Sequence, residues 1–287
     1  MYASARVPEG ALENDVNGVG ITYGKDEQVL AILLRRENRN SLPVAQAVAD
    51  QFNTAVTVVV AGEFQSIRPL PPIPRKRIRP APGGVSIGHY MITAGTLGCL
   101  VQDSAGLNYI LSNNHVLANS NNASQLDPIY QPGPYDGGTA NDVIARLWAW
   151  KPLYPNGVNY VDAALARPIS HLDVDPTILQ IGRVRGIAAP TLGLKVKKMG
   201  RTTGLTHGSI TILRAYVKVY YPTLGELVFD DQIVIQPGGF SKGGDSGSLI
   251  VDEENRAIGL LFAGSNFFTL ANPISRVMQE LNMVKII

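Results

Sequence analysis

The chain is 287 residues long, 45% hydrophobic and 17% charged, with a formal net charge of +2. That length carries one large or two ordinary domains and buries a core without disulfide staples, while the near-neutral balance gives no support to nucleic-acid or acidic-membrane binding. The single cysteine, Cys99, excludes an intramolecular disulfide scaffold and favours a reducing, cytoplasmic setting.

Met1 to Pro8 lack the apolar core of a secretory signal, and no apolar run reaches the ~18 residues that span a bilayer. Residues 1–15 are polar and without period, a tail. Val16 to Tyr23 and Gln28 to Leu34 favour β structure and flank Gly24-Lys25-Asp26-Glu27, which predicts a hairpin. Ser41 as N-cap, Pro43 in the first turn and Val44, Ala47 and Val48 at helical spacing predict a helix to about Gln51. Ala55 to Val60 reads as a buried strand. Residues 16–62 thus form a small β-β-α-β unit. Residues 63–82, proline-dense and basic from Arg68 to Pro80, read as an extended linker with protease-accessible arginines. A docking segment for nucleic acid or an SH3-type domain is the competing reading.

From Gly83 onward short β-favouring runs alternate with Gly, Asn and Asp. The strands expected are Met91–Val101, Tyr109–Asn113, Val143–Ala149, Ala163–Arg167, Val196–Met199, Ser209–Val219, Gln232–Ile235, Ser248–Val251 and Ala257–Ala263. This pattern predicts a sandwich or barrels over residues 83–287. Only Pro273 to Asn282 is helical in pattern, with Ile274, Val277, Met278 and Leu281 on one face.

Three segments carry chemistry. His115 ends an apolar strand, Asp162 enters another, and Ser246 lies in Gly243-Gly244-Asp245-Ser246-Gly247 before a third. A serine hydroxyl becomes nucleophilic when an imidazole takes its proton, and a carboxylate fixes the imidazole tautomer. Glycines beside Ser246 let the N–H groups of Gly244 and Ser246 reach a developing oxyanion. Asp142, Asp173 and Asp175 compete with Asp162 as the acid, but each lies in a turn or a proline-bounded loop that suits a solvated surface. No Cys/His cluster has metal-ligand spacing, and Asp173 with Asp175 is too little for calcium, so neither metal nor cofactor is expected. The serine segment also lacks the G-x-S-x-G spacing of a nucleophile elbow.

The order His115, Asp162, Ser246 with Gly244-Asp245-Ser246-Gly247 resembles the trypsin-like serine peptidases of the chymotrypsin fold. Met199-Gly200-Arg201-Thr202-Thr203-Gly204 is similar to a segment of the bacterial α-lytic protease and streptogrisin type. Ala257 to Ser265 resembles the strand lining the primary specificity pocket. The resemblance implies a mainly β, chymotrypsin-like double β-barrel with a C-terminal helix, preceded by the small α/β unit. It implies a serine endopeptidase acting on protein or peptide substrates. By position in the family, Phe240 and Ser241 fall at the pocket base, giving an apolar pocket, with Phe240 equally a core residue if the loop is shifted by one or two positions, and an extended substrate pairs with Phe262-Ala263-Gly264. Without an activation site before the domain, Asp245 needs an internal cation, and the bacterial motif offers Lys198. The N-terminal unit is then either a removable pro-region or a permanent regulatory or assembly domain, with homo-oligomers forming through it. A catalytically silent binding module of the same fold is the alternative function.

Overall fold

The computed structural model describes residues 16–23, 28–36, 43, 46–47, 50, 56–63 and 75–287. The expected tail, the turn after Tyr23, much of the expected helix and residues 64–74 of the linker lie outside them. Strand β1 (Val16–Tyr23) pairs antiparallel with β2 (Gln28–Leu34), and β3 (Val56–Val60) joins β2 in parallel. A parallel pair needs a crossover, and Pro43, Gln46, Ala47 and Asp50 within it are helical. β3 is not the buried strand its valines predict. It ends a ten-stranded sheet and leaves Val58 39% and Val60 44% exposed.

Residues 81–168 supply β4 (Ala81–Gly83), β5 (Ser86–His89), β6 (Gly95–Thr96), β7 (Cys99–Gln102), β8 (Asn108–Ser112), the short helix α1 (Asn114–Leu117), β9 (Pro128–Tyr130), β10 (Val143–Trp150), β11 (Val158–Asn159) and β12 (Ala164–Pro168). The first barrel is built from β5 to β10 and β12, while β4 and β11 pair in other sheets. The order β7-β8-β12-β10-β9-β5-β6 closes because β6 and β7 are two halves of one bent strand. Leu97 N–H donates to Val85 on one side of the bend, and Gly98 N–H to Leu111 on the other. The single strand expected over Met91–Val101 is therefore corrected: its first residues turn, and the remainder bends at Leu97-Gly98. A Cβ on Gly98 would lie 2.5 Å from the Gly247 carbonyl, so the bend must approach the serine loop without a side chain.

β13 (Val174–Ile178) and β14 (Gly182–Arg183) lead to the second barrel, made of β15 (Lys195–Gly200), β16 (Gly204–Tyr221), β17 (Gly225–Gln236), β18 (Leu249–Asp252), β19 (Ala257–Gly264) and β20 (Thr269–Pro273). Each strand is antiparallel to the next in the order β16-β15-β18-β19-β20-β17, and β17 returns to β16, so no edge is left. Val196, Ile210, Ile233, Ile235, Ile250 and Ile258 fill its interior, each contributing about 2 kcal/mol of burial. Helix α2 (Ile274–Glu280) and β21 (Lys285–Ile286) follow, and Ile274, Val277 and Met278 are buried as the helical spacing predicts. They pack with Leu111, Val161, Leu249 and Leu260 in a cluster shared by both barrels.

β17 is far longer than the expected Gln232–Ile235, and β16 extends the expected Ser209–Val219 at both ends, so that Leu213–Tyr221 and Gly225–Gln232 pair as a ribbon. β1 pairs with that ribbon, Gly18 opposite Val217 and Ile21 opposite Leu213. Ala31, Leu33 and Ala61 share a core with Val217, Val219, Tyr221, Phe229 and Phe262. Residues 75–82 also differ from a solvated spacer. β4 pairs in parallel with β13, and Arg75, Arg77 and Arg79 meet Asp136, Asp142 and Asp173.

Candidate active site

Asn113 caps α1 with an extended backbone, and its amide donates to the Asp162 carbonyl at 2.7 Å, fixing the turn that carries His115. His115 is thus in a four-residue helix after β8 rather than at a strand end. Asp162 is fully buried between β11 and β12, and its N–H donates to Asn272 Oδ1 at 3.0 Å. Its carboxylate meets only donors: His115 Nδ1 at 2.5 Å and Tyr221 O–H at 2.7 Å on Oδ2, and His115 N–H at 3.2 Å on Oδ1. Burial, then the Asp162 charge, pushes the Tyr221 phenol well above its ordinary value, so it stays a donor. Tyr221 escaped the sequence reading. The usable signal was alternation, since Val217, Val219 and Tyr221 share one face of β16.

Ser246 lies in the loop between β17 and β18 and is 6% exposed. Its hydroxyl donates to the Phe262 carbonyl at 3.4 Å, and no hydrogen bond joins it to His115. The two are nevertheless neighbours across β6. Thr96 N–H donates to the Ser246 carbonyl at 2.8 Å, and Thr96 Oγ1 donates to the Gly244 carbonyl at 2.7 Å. A Cβ on the adjoining Gly95 would lie 2.4 Å from Val116 Cγ2 and 3.0 Å from the Ser246 carbonyl, so helix and loop close on the same residue. The N–H groups of Gly244 and Ser246 have no hydrogen-bond partner among the described residues. Gly247 has φ +95°, and a Cβ there would meet Ser112 Oγ at 2.1 Å, so this position demands glycine twice over.

Asp245 is buried, and the Gly200–Gly204 turn wraps its carboxylate. Thr202 N–H, Thr203 N–H and Thr203 Oγ1 donate to it at 2.8, 3.1 and 2.6 Å, and Lys242 N–H at 2.8 Å. The Lys198 ammonium, also fully buried, stands 3.7 Å away. It donates to Thr203 Oγ1 at 2.5 Å and to the Gly204 carbonyl at 3.1 Å. Burial pushes Lys198 down from an ordinary 10.5 to about 8 despite Asp245. The folded chain sheds this proton first, so stability rises with pH from 8 towards 10.5, by up to about 3 kcal/mol. Cys99, pushed up by burial from 9.0 to about 12, acts oppositely once the pH exceeds 9. Urea midpoints are therefore expected to rise between about pH 7.5 and 9 in the wild type and to stay level in Lys198→Met.

The competing acids are engaged elsewhere. Asp142 closes a capping box with Thr139, Asp173 pairs with Arg79, and Asp175 accepts the Thr177 N–H. The Phe240 ring lies in the second-barrel core with Val196, Ile210 and Ile235, under the Lys198 ammonium at 5.5 Å. Ser241 is buried, 2.6 Å from Thr269 Oγ1. Phe262, Ala263 and Gly264 are buried at the end of β19, with Ala263 and Gly264 paired to β20. No group of three His, Cys, Asp or Glu residues with metal-binding geometry exists among the described residues.

A family model described as the Nal1 C-terminal domain matches residues 177–270, the second barrel with the serine loop but neither His115 nor Asp162. No curated protein matches the chain. Among solved structures it is similar to the Nocardiopsis protease, at 18% identity and a TM-score of 0.51 over 70% of this chain and 96% of that one. A glutamic acid specific serine protease gives 20% identity and a TM-score of 0.52, over 70% and 97% of the two chains. Thermobifida fusca Protease A gives 17% and 0.51, over 70% and 96%. At such identities the likeness is one of fold. The chain has the chymotrypsin fold of serine proteases, a double β-barrel with a C-terminal helix, preceded by a small α/β unit.

Proposed function

We propose that the chain is a serine endopeptidase that hydrolyses peptide bonds through an acyl-enzyme on Ser246. The observation that carries this reading is the buried Asp162 carboxylate seated on His115 Nδ1 beside a serine loop with two unpaired N–H groups. In this mechanism the Ser246 hydroxyl exchanges the Phe262 carbonyl for His115 Nε2, which takes its proton as the oxygen attacks the substrate carbonyl. The Gly244 and Ser246 N–H groups receive the oxyanion, and His115 returns the proton to the leaving amine; water then repeats the cycle. Asp245 and Lys198 hold the loop, and an extended substrate runs along Phe262-Ala263-Gly264. A fluorophosphonate probe is expected to label Ser246 in the wild type and to fail with Ser246→Ala and His115→Ala. An unlabelled wild type, folded by calorimetry, would refute the reading.

The Ser246–Phe262 contact favours a second reading, a silent binding module that keeps the fold, and the same labelling separates the two. For the N-terminal unit we favour a permanent regulatory role over a removable pro-region, since β1 to β3 share a sheet and a core with the ribbon. Self-removal in the wild type but not in Ser246→Ala would reverse that choice.

A further inference from the structure

We propose that Tyr221 is a positioning residue for the Asp162–His115 pair, its hydroxyl holding and tempering the carboxylate that His115 uses; this rests on the peptidase reading above. Tyr221 ends β16, far in sequence from both partners, and is 1% exposed. Its hydroxyl donates to the same Oδ2 that accepts His115 Nδ1. The ring stands edge-on to the His115 imidazole at 5.9 Å and 76° and stacks on Phe229 at 6.0 Å. Phe229 in turn packs on Phe262 at 4.8 Å. Side chains from three strands thus aim one phenol at one oxygen.

The charge on Oδ2 is shared between two donors. Among the described residues, the titratable groups bonded to it are His115 from α1 and Tyr221 from β16. Asn113 donates to the Asp162 carbonyl and Asn272 accepts the Asp162 N–H, and neither amide carries charge. A donor to a carboxylate stabilises its charged form. Without the phenol, Oδ2 presses its full charge on the imidazole and holds the protonated ring more firmly. The carboxylate also loses one of the contacts that fix its plane. The β16–β17 ribbon carrying Tyr221 is the one on which β1 lies, Gly18 opposite Val217. The N-terminal unit therefore braces the strand that delivers the hydroxyl.

Tyr221→Phe removes the hydroxyl and keeps the ring. Expected are a fall in kcat of about 10-fold with KM within about 2-fold, and an acid limb of the kcat/KM profile moved up by about half a pH unit. The far-downfield proton resonance of the His115 Nδ1–H is expected to move further downfield. Phe229→Leu loosens the ring packing while leaving the hydroxyl, and is expected to lower Tm and leave the acid limb in place. An unchanged acid limb and resonance in Tyr221→Phe would overturn the proposal, as would the same acid-limb shift in Phe229→Leu. Should the wild type neither cleave peptides nor take the probe, the peptidase reading fails, and the proton resonance alone decides the role of Tyr221.

Discussion

Asp162→Asn is expected to lower kcat about 10⁴-fold with the fold intact, because three donors surround a group that would then offer only one acceptor edge. In aspartate, Oδ1 receives the His115 N–H and Oδ2 receives His115 Nδ1 and Tyr221. The asparagine amide can point its NH2 at either edge. Towards the His115 backbone it opposes an N–H that cannot change role. Towards Oδ2 it meets two groups that can: the Tyr221 hydroxyl turns to accept, and the imidazole moves its proton to Nε2. The second orientation wins. It leaves Nε2 carrying a proton when it needs to take one from Ser246. Steady-state kinetics on a peptide ester, with Tm as the control for folding, checks this. A loss below about 10-fold would remove Asp162 from the proposed mechanism.

Which parts of this arrangement could be read from the chain follows from the range of the forces involved. Ala257–Gly264 and Asn108–Ser112 announce themselves because they are short apolar runs bounded by turns, and α2 because Ile274, Val277 and Met278 repeat at helical spacing. His115, Asp162 and Ser246 stand out because their residue types and glycine neighbours are local features. Of the ribbon, Ser209–Val219 is legible, but the end of β16 is lost together with the β17 half, whose pairing partner lies on β16 rather than in an apolar run of its own. Tyr221 goes with it. Arg75, Arg77 and Arg79 look like a solvated run because Asp136, Asp142 and Asp173 are 61 to 94 positions further along the chain. Phe240 shows the limit of register: the count from Ser246 leaves it either at a pocket base or in the core, and only the fold shows its ring among the apolar residues of the barrel interior.

The other large effect is expected at the turn beneath the serine. Asp245→Asn should cost about 3–5 kcal/mol of stability and about 10²–10³-fold in kcat/KM. Oδ1 accepts Thr202 and Thr203 N–H, and Oδ2 accepts Lys242 N–H and Thr203 Oγ1 with Lys198 3.7 Å away. Of these only the Thr203 hydroxyl can reverse its role. An amide NH2 at Oδ1 faces two fixed N–H donors; at Oδ2 it faces one more and an ammonium. Asp245 Oδ1 would also lie 2.3 Å from a Cβ on Gly200, so the surroundings leave little room to turn aside. Lys198 loses its counter-charge while still fully buried. The cheapest escape is movement of the Lys242–Gly247 loop, which redirects the Gly244 and Ser246 N–H groups away from the oxyanion position. Urea unfolding and kcat/KM measured together test this coupling. Both must fall; stability within about 0.5 kcal/mol of wild type, or a rate within a few-fold, would show that Asp245 does not hold the loop in its working form.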